Sequence, residues 1–195
     1  MALIVISSKA RCGKDTLGKM LQDVMDANYF IMGYANNLKE RLANDFGLSS
    51  AQLYGDLKEV PDKRYPKTLL DNDLSEIEYW TPREIMQYMG TEAYRTIDNK
   101  FWIKQLFNHI DSSGLKNVII TDGRFPDEIK AVTDRGGYHI KINRNHDIKI
   151  HNTQHTSETS LDDFCDADFV VDNNGTLDEL KLKALEIKKE IENER

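Results

Sequence analysis

An α/β fold with a mostly parallel central sheet is predicted by three features of the chain. The first is a continuous apolar run, ALIVIS at 2–7, followed by a glycine-containing loop and then by helical periodicity. The second is the return of the same pattern further on. NVIITDG (117–123) precedes a helix opened by Pro126, and YHIKINR (138–144) follows the turn at Gly136-Gly137. The third is that ALIVIS and the start of NVIITDG are continuously apolar instead of alternating, which marks strands covered on both faces. Strand, loop, helix and strand form the unit from which parallel sheets are built.

After the strand at 2–7, Leu17, Met20, Leu21 and Val24 give residues 14–26 a helical stripe, and YFIMGYA (29–35) is strand-like. A helix from about 37 to 46 is expected to end before Gly47. From 48 to 80 the pattern is poor and broken by Pro61 and Pro66. It reads equally as an excursion over a ligand site, with room for a short helix, or as a solvated insertion. Thr81-Pro82-Arg83-Glu84 starts a helix: Thr81 caps, Pro82 suits the first helical position and Glu84 completes a capping box. That helix is expected to stop near Gly90, and Asp98 to cap the next one, which carries Phe101, Trp102, Leu106 and Phe107 to about 110. The helix from Pro126 runs to about 134, residues 145–160 are polar and without period, and DFVVDN (168–173) is the last strand. Thr176 and Glu179 form a second capping box for the final helix.

With 195 residues, 39% hydrophobic and 30% charged, the chain suits one compact domain with a sizeable core. No apolar run reaches membrane-spanning length, and MALIVISSKA lacks a basic leader, so it reads as a strand and not as a signal peptide. A net charge of −7 argues against a nucleic-acid groove, which needs a positive stripe, but not against a small phosphorylated ligand. Neither direct nucleic-acid binding nor membrane association is expected. Cys12 and Cys165 form no framework or metal pattern and fit a reducing, cytosolic setting. The five histidines show no paired metal-ligand spacing.

Four stretches carry chemistry. ISSKARCGKDTLGKM (6–20) approximates the phosphate-loop pattern G-x-x-x-x-G-K-[ST] but departs from it twice, at Ser8 in place of the first glycine and at Asp15 after the lysine. Its setting between a strand and a helix is what such a loop requires, because backbone N–H groups at the helix start and the helix dipole both favour an anion. Gly13 allows close backbone approach, Lys14 can reach a transferred phosphoryl group, and Thr16 and Asp15 remain for phosphate or magnesium contacts. The alternative is an ordinary basic helix start. Ser8 fits the loop if its backbone angles are ordinary for an L-residue.

In TDGRF (121–125), Asp122 stands at the end of an apolar strand, where ligands bind in open parallel sheets. It can orient a phosphate acceptor or help hold magnesium through water, with Arg124 beside it to neutralise phosphate oxygens; otherwise the two merely tie a loop. In PREIMQYMGTEAYR (82–95), Arg83 and Gln87 share a helix face, arginine offering its fork to a monophosphate and glutamine reading a base edge. Arg95, beyond the turn expected at Gly90, can serve the same anion. The last stretch begins at Arg144 and includes His146, His151 and His155. A basic segment closing over phosphorylated ligands would exclude water, and Arg144 would offset charge in the transition state. The histidines read equally as loop polars. Several separate arginines suggest two anionic ligands. An N-K-x-D base-reading motif and a double acidic strand end are both missing, so a phosphotransferase fits better than a switch or a mechanical ATPase.

In its motifs the chain resembles the deoxynucleoside monophosphate kinases of tailed bacteriophages, within the P-loop kinase superfamily. The likeness rests on KARCGKDT (9–16), YANNLKERL (34–42), LYGDLKE (53–59), TPREIMQYMGTEAYR (81–95), FW (101–102), TDGRFPDEIKAVTDRGG (121–137), INR (142–144), HTSE (155–158) and DNNGTLDEL (172–180). The family also tends to show G-K-D-T, which accounts for Asp15; Ser8 departs from its usual first glycine. The resemblance implies a three-layer P-loop kinase fold in a single domain spanning 1–195, with an acceptor-binding helical region at about 37–110 and a small lid at about 144–160. It implies transfer of a phosphoryl group from ATP, with Mg2+, to a deoxynucleoside monophosphate for viral DNA synthesis. Candidate acceptors are dTMP, dGMP and 5-hydroxymethyl-dCMP. It further implies a homodimer in the infected cell's cytoplasm, with association with other nucleotide-synthesis enzymes as a further expectation.

The reading of the residues and the resemblance together give Arg11, Cys12, Gly13, Lys14, Asp15 and Thr16 to the donor, with Asp15 and Thr16 on the metal side. Lys39, Arg83, Gln87, Arg95 and Asp122 serve the acceptor, and Lys14, Asp122, Arg124 and Arg144 the transfer. Glu128 orients the Asp122–Arg124 loop, and Glu158 anchors the return of the lid. The rival readings are another small-molecule P-loop kinase, of the phosphomevalonate or dephospho-coenzyme A type, and a nucleotide-binding protein without catalysis.

Overall fold

A computed structural model describes residues 2–9, 11–25, 28–67, 77–145, 155–162 and 164–193. Its strands are β1 (Ala2–Ser7), β2 (Phe30–Met32), β3 (Asn117–Gly123), β4 (Tyr138–Asn143) and β5 (Phe169–Asp172). They form one sheet in the order β2-β3-β1-β4-β5 with every pairing parallel. All six residues of β1 are buried, as befits the central strand of a sheet with helices on both faces.

The chain divides into two compact units, Met1–Tyr34 with Trp102–Arg195, and Ala35–Phe101. The first holds the sheet with α1 (Lys14–Val24), α7 (Pro126–Thr133), α8 (Thr156–Thr159), α9 (Leu177–Asn193) and all but the first residue of α6 (Phe101–Ser112). On one sheet face Ile4, Ile6, Ile119, Ile140 and Ile142 meet Leu17 and Leu21 of α1 and Leu180, Ala184, Ile187 and Ile191 of α9. The spacing of the last four, alternately four and three, is that of a helix with one buried stripe. On the other face α7 packs on β1 and β4. A Cβ on Gly123 would lie 2.7 Å from Val5 and 2.8 Å from Ile129, and one on Gly137 2.6 Å from Val132 and 2.8 Å from Leu3. Each isoleucine fully buried in these layers contributes about 1.5–3 kcal/mol.

The second unit contains α2 (Asn36–Phe46), α3 (Ser50–Tyr54), a 3₁₀ turn (Asp56–Glu59), α4 (Pro82–Gln87), a π-helical turn (Tyr88–Ala93) and α5 (Tyr94–Ile97). Helix α2 ends on Gly47 at φ 58°, whose N–H returns to the Leu42 carbonyl. Within the segment that reads poorly, α3 has its own capping box: Ser49 accepts from the Gln52 N–H while the Gln52 side chain takes the Ser49 N–H. The Arg64 guanidinium beside Asp62 holds that carboxyl well below the usual carboxylate range, and Gln52 donates to it at 2.7 Å. Residues 68–76 lie outside the description.

The helix opened by Thr81 does not stop near Gly90. It widens into the π turn and continues through α5 to Ile97. Gly90 serves a close approach instead: a Cβ there would sit 3.0 Å from Leu38 of α2. Among the described residues no helix is long and apolar enough to cross a membrane.

Candidate active site at the carboxyl edge of the sheet

The chain leaves β1 at Ser7 and enters α1 at Lys14 through a loop with two left-handed residues, Arg11 (φ 62°) and Gly13 (φ 96°). Ser8 is not among the described residues with positive φ, so it occupies the place of the loop's usual first glycine without steric penalty. Arg11 is the demanding position: a side chain held in the left-handed region costs about 1–2 kcal/mol, and such strain collects at ligand clamps. The first turn of α1 leaves its backbone N–H groups without helical partners, and Gly13 as cap supplies no side chain to take them. These are the donors an anion needs.

Cys12 lies buried in this loop. Burial pushes its thiol pKa up, against the N–H of Arg144 and the charges of Lys14, Arg144 and Lys9. Three cations are thus felt at one buried sulfur, and the backbone of Arg144, just past β4, is placed against the loop. The raised pKa keeps the thiol neutral, so the sulfur itself adds no negative charge beside a phosphate. From the end of β5, Asn173 donates through Nδ2 to the Cys12 carbonyl at 2.9 Å. No sequence pattern gives Asn173 a role in the site, because its burial and its reach to Cys12 come from the fold.

Asp122 sits near the end of β3, where the Tyr34 N–H donates to its Oδ1 at 2.8 Å. Gly33 lets this carboxylate approach closely, because a Cβ at position 33 would lie 2.6 Å from Asp122 Oδ2. The following turn is held by Glu128, which is buried and takes the N–H groups of Arg124 (2.9 Å) and Phe125 (3.2 Å) on one oxygen. Tyr34 donates its hydroxyl to the Glu128 carbonyl at 2.7 Å. Its phenol is held well above the usual pKa by burial and by the nearby charges of Glu128, Asp122 and Asp127. Arg124 reaches the Ser157 carbonyl at 3.2 Å, and Lys9 pairs with Asp162 at 2.9 Å. His155 caps α8 by accepting the Ser157 N–H, which gives it a structural part. His146, His151 and most of the expected lid fall in 146–154, outside the described residues, as does the Glu158 side chain.

The remaining predicted side chains belong to the second unit. Arg83 pairs with Glu59, and Lys39 stands over the Tyr54 ring at 4.3 Å. Arg95 lies twelve residues beyond Arg83, about 120° around a regular α-helix. The π turn takes up one extra residue and brings the two to within about 20°. The burial pattern agrees: Arg83, Gln87 and Arg95 are half-buried, while Tyr88 and Glu92 are exposed.

Among the described residues no three His, Cys, Asp or Glu side chains gather as a metal-holding group. Asp15 and Thr16 stand exposed on the first turn of α1. That arrangement suits Mg2+, which takes one or two protein oxygens and completes its shell with water and phosphates.

A family described as deoxynucleotide monophosphate kinase matches residues 61–184. A protein of Acanthamoeba polyphaga mimivirus with the same kinase description is 32% identical over 193 residues, covering 92% of each chain. The chain belongs to the deoxynucleotide monophosphate kinase family. The matched span begins after the phosphate loop and takes in Arg83, Gln87, Arg95, Asp122, Arg124, Arg144 and Asn173. Shikimate kinase from Aquifex aeolicus superposes with a TM-score of 0.50 at 14% identity, over 96% of both chains, which supports the P-loop kinase fold. Dephospho-CoA kinase from Campylobacter jejuni gives 0.47 at 13% identity over 97% of this kinase and 96% of that chain, too slight a likeness to bear on the acceptor. As a kinase of this family the protein is an ATP-using phosphotransferase.

Proposed function

We propose that this kinase transfers the γ-phosphoryl group of ATP to the 5′-phosphate of a deoxynucleoside monophosphate, with dTMP, dGMP and 5-hydroxymethyl-dCMP as candidate acceptors for viral DNA synthesis. The observation that carries the reading is the loop before α1, with left-handed Arg11 and Gly13 and with Lys14 opening the helix. Its backbone donors receive the donor phosphates, and Lys14 follows the group that moves. An oxygen of the acceptor phosphate attacks Pγ in line, the bond from Pγ to the bridging oxygen breaks, and ADP departs. Asp122 favours the in-line position of the attacking oxygen. Arg124 and Arg144 offset the charge spread over the phosphoryl oxygens. Positioning and electrostatics carry the reaction without a covalent intermediate.

Residues at about 37–110 bind the acceptor, and those at about 144–160 close over the site. Arg83 and Arg95 take the monophosphate, Gln87 reads the base and Lys39 adds charge. Asp15 and Thr16 would hold Mg2+, which when bound neutralises charge on the outer phosphates. The same reading, supported by the family resemblance, takes the protein as a cytoplasmic homodimer associated with other nucleotide-synthesis enzymes.

The test is incubation with magnesium-ATP and each nucleoside monophosphate, ribo and deoxy, plus 5-hydroxymethyl-dCMP, with diphosphate as the measured product. Turnover confined to a few deoxynucleotides, lost in a folded Lys14→Ala variant, supports the reading. ATP binding without turnover on any monophosphate moves the acceptor to another class and refutes it.

A further inference from the structure

We propose that Asn173 is a positioning residue of the donor-phosphate loop, locking the Cys12–Gly13 peptide so that the Gly13 N–H faces the bound phosphates. This rests on the reading of residues 9–16 as the donor site.

Asn173 is 8% exposed and donates to the Cys12 carbonyl at 2.9 Å. A trans peptide is planar, so a carbonyl held toward Asn173 turns the N–H of the same peptide the opposite way. Gly13 is at φ 96°, and glycine also populates the mirror-image conformations. A flip of this peptide is therefore cheap for the backbone and would offer a carbonyl oxygen to the phosphates where an N–H is needed. The lock has to come from outside the loop.

Asn173 is itself fixed for that task. Its backbone N–H donates to the Asn143 carbonyl at 2.8 Å, in register with the end of β4. The neighbouring Asn174 accepts the Asn145 N–H at 2.7 Å. The fit is reciprocal, because a Cβ on Gly13 would lie 2.4 Å from Asn173 Nδ2. Glycine at position 13 thus serves the approach of this amide as well as the left-handed turn. The Arg144 N–H, just past β4, also acts on the Cys12 thiol, so residues after both β4 and β5 bear on the loop.

The expected result is a split between the two substrates. Asn173→Ala removes the donor, and Asn173→Asp sets a carboxylate against the carbonyl at nearly unchanged volume. Each raises KM for ATP about tenfold or more, as expected for a lost hydrogen bond to a charged group, while KM for the deoxynucleoside monophosphate stays within about twofold. Affinity for ADP falls in parallel, and affinity for adenosine, which has no phosphate, does not change. A lower Tm with an unchanged KM for ATP, or an equal rise in both KM values, overturns the proposal. Should Asn173→Ala fail to fold, Asn173→Asp and Asn173→Ser carry the same comparison. The wild-type chain supplies a variant-free test: with 15N-glycine labelling, ADP should shift the Gly13 amide strongly downfield, and an unmoved resonance refutes the lock. Wild-type protein inactive on every deoxynucleoside monophosphate instead sinks the kinase reading. Wild-type turnover with unchanged ATP use in the variants sinks only the role of Asn173.

Discussion

Replacing Gly33 with alanine tests Asp122 without touching it. The new methyl carbon would lie 2.6 Å from Oδ2, 2.9 Å from Cγ and 3.0 Å from Oδ1, where ordinary contact begins at 3.4 Å, so the carboxylate must retreat by about 0.8 Å. It cannot do so freely, because the Tyr34 N–H holds Oδ1 at 2.8 Å and Asp122 is part of β3. Either that hydrogen bond breaks, costing about 1 kcal/mol, or the tips of β2 and β3 separate. For a chain of this size 1 kcal/mol lowers Tm by about 2–4 °C. A positioning group displaced by about 1 Å costs up to roughly 100-fold in rate. Gly33→Ala should therefore lower kcat about 10- to 100-fold in a coupled diphosphate assay and leave KM for ATP within about twofold, since residues 11–16 are untouched. The double variant Gly33→Ala/Asp122→Ala should be no slower than Asp122→Ala alone, because both changes act through one carboxylate. Losses that multiply, or a wild-type kcat in Gly33→Ala, would remove Asp122 from the chemistry.

Arg83→Lys keeps the charge but loses the planar fork, and should raise KM for the monophosphate about tenfold while sparing ATP; an equal effect on both substrates contradicts its acceptor role. Glu128→Ala leaves the N–H groups of Arg124 and Phe125 without their buried acceptor, and should cost about 1–2 kcal/mol, read as a Tm lowered by a few degrees together with a lower kcat. His139 is fully buried, bonded to Ser7 Oγ (2.7 Å) and the Asp166 carbonyl, with the Phe164 ring, Asp168 and Lys141 around it. Burial lowers its pKa below 6.5, and Lys141 adds to this against the Asp166 carbonyl and the charges of Asp168 and Asp166. On acidification the unfolded chain therefore takes up the proton first. The stabilising contribution is complete above pH 6.5 and declines below it, by at most about 1.4 kcal/mol per pH unit, until the folded-state pKa is passed. Urea titrations should show that slope in the wild type and not in His139→Gln; a slope that survives the substitution assigns it elsewhere.

The strands β1 and β3 were legible because a strand covered on both faces needs an unbroken apolar run, and ALIVIS and NVIITDG can serve no other element well, while β4 showed itself by its position after the Gly136-Gly137 turn. The capping box at Thr81 was legible because cap chemistry is local, and the one at Ser49 was available on the same grounds in its S-x-x-Q spacing. Gly47 and Gly90 look alike in sequence and differ in structure. The first takes a left-handed cap that glycine satisfies alone, whereas the second answers to Leu38 on another helix.

By itself the sequence determined the α/β class and the strand–loop–helix start that carries the candidate phosphate loop and its cations, since each follows from residues close together in the chain. The tertiary structure decided which of them meet. Asn173 reaches Cys12 across 161 residues, His139 reaches Ser7 across 132, and Asp122 meets Tyr34 across 88. These contacts exist because a parallel sheet reorders its strands, setting β4 beside β1 and bringing the carboxyl ends of the strands to one edge, and no local pattern encodes that order.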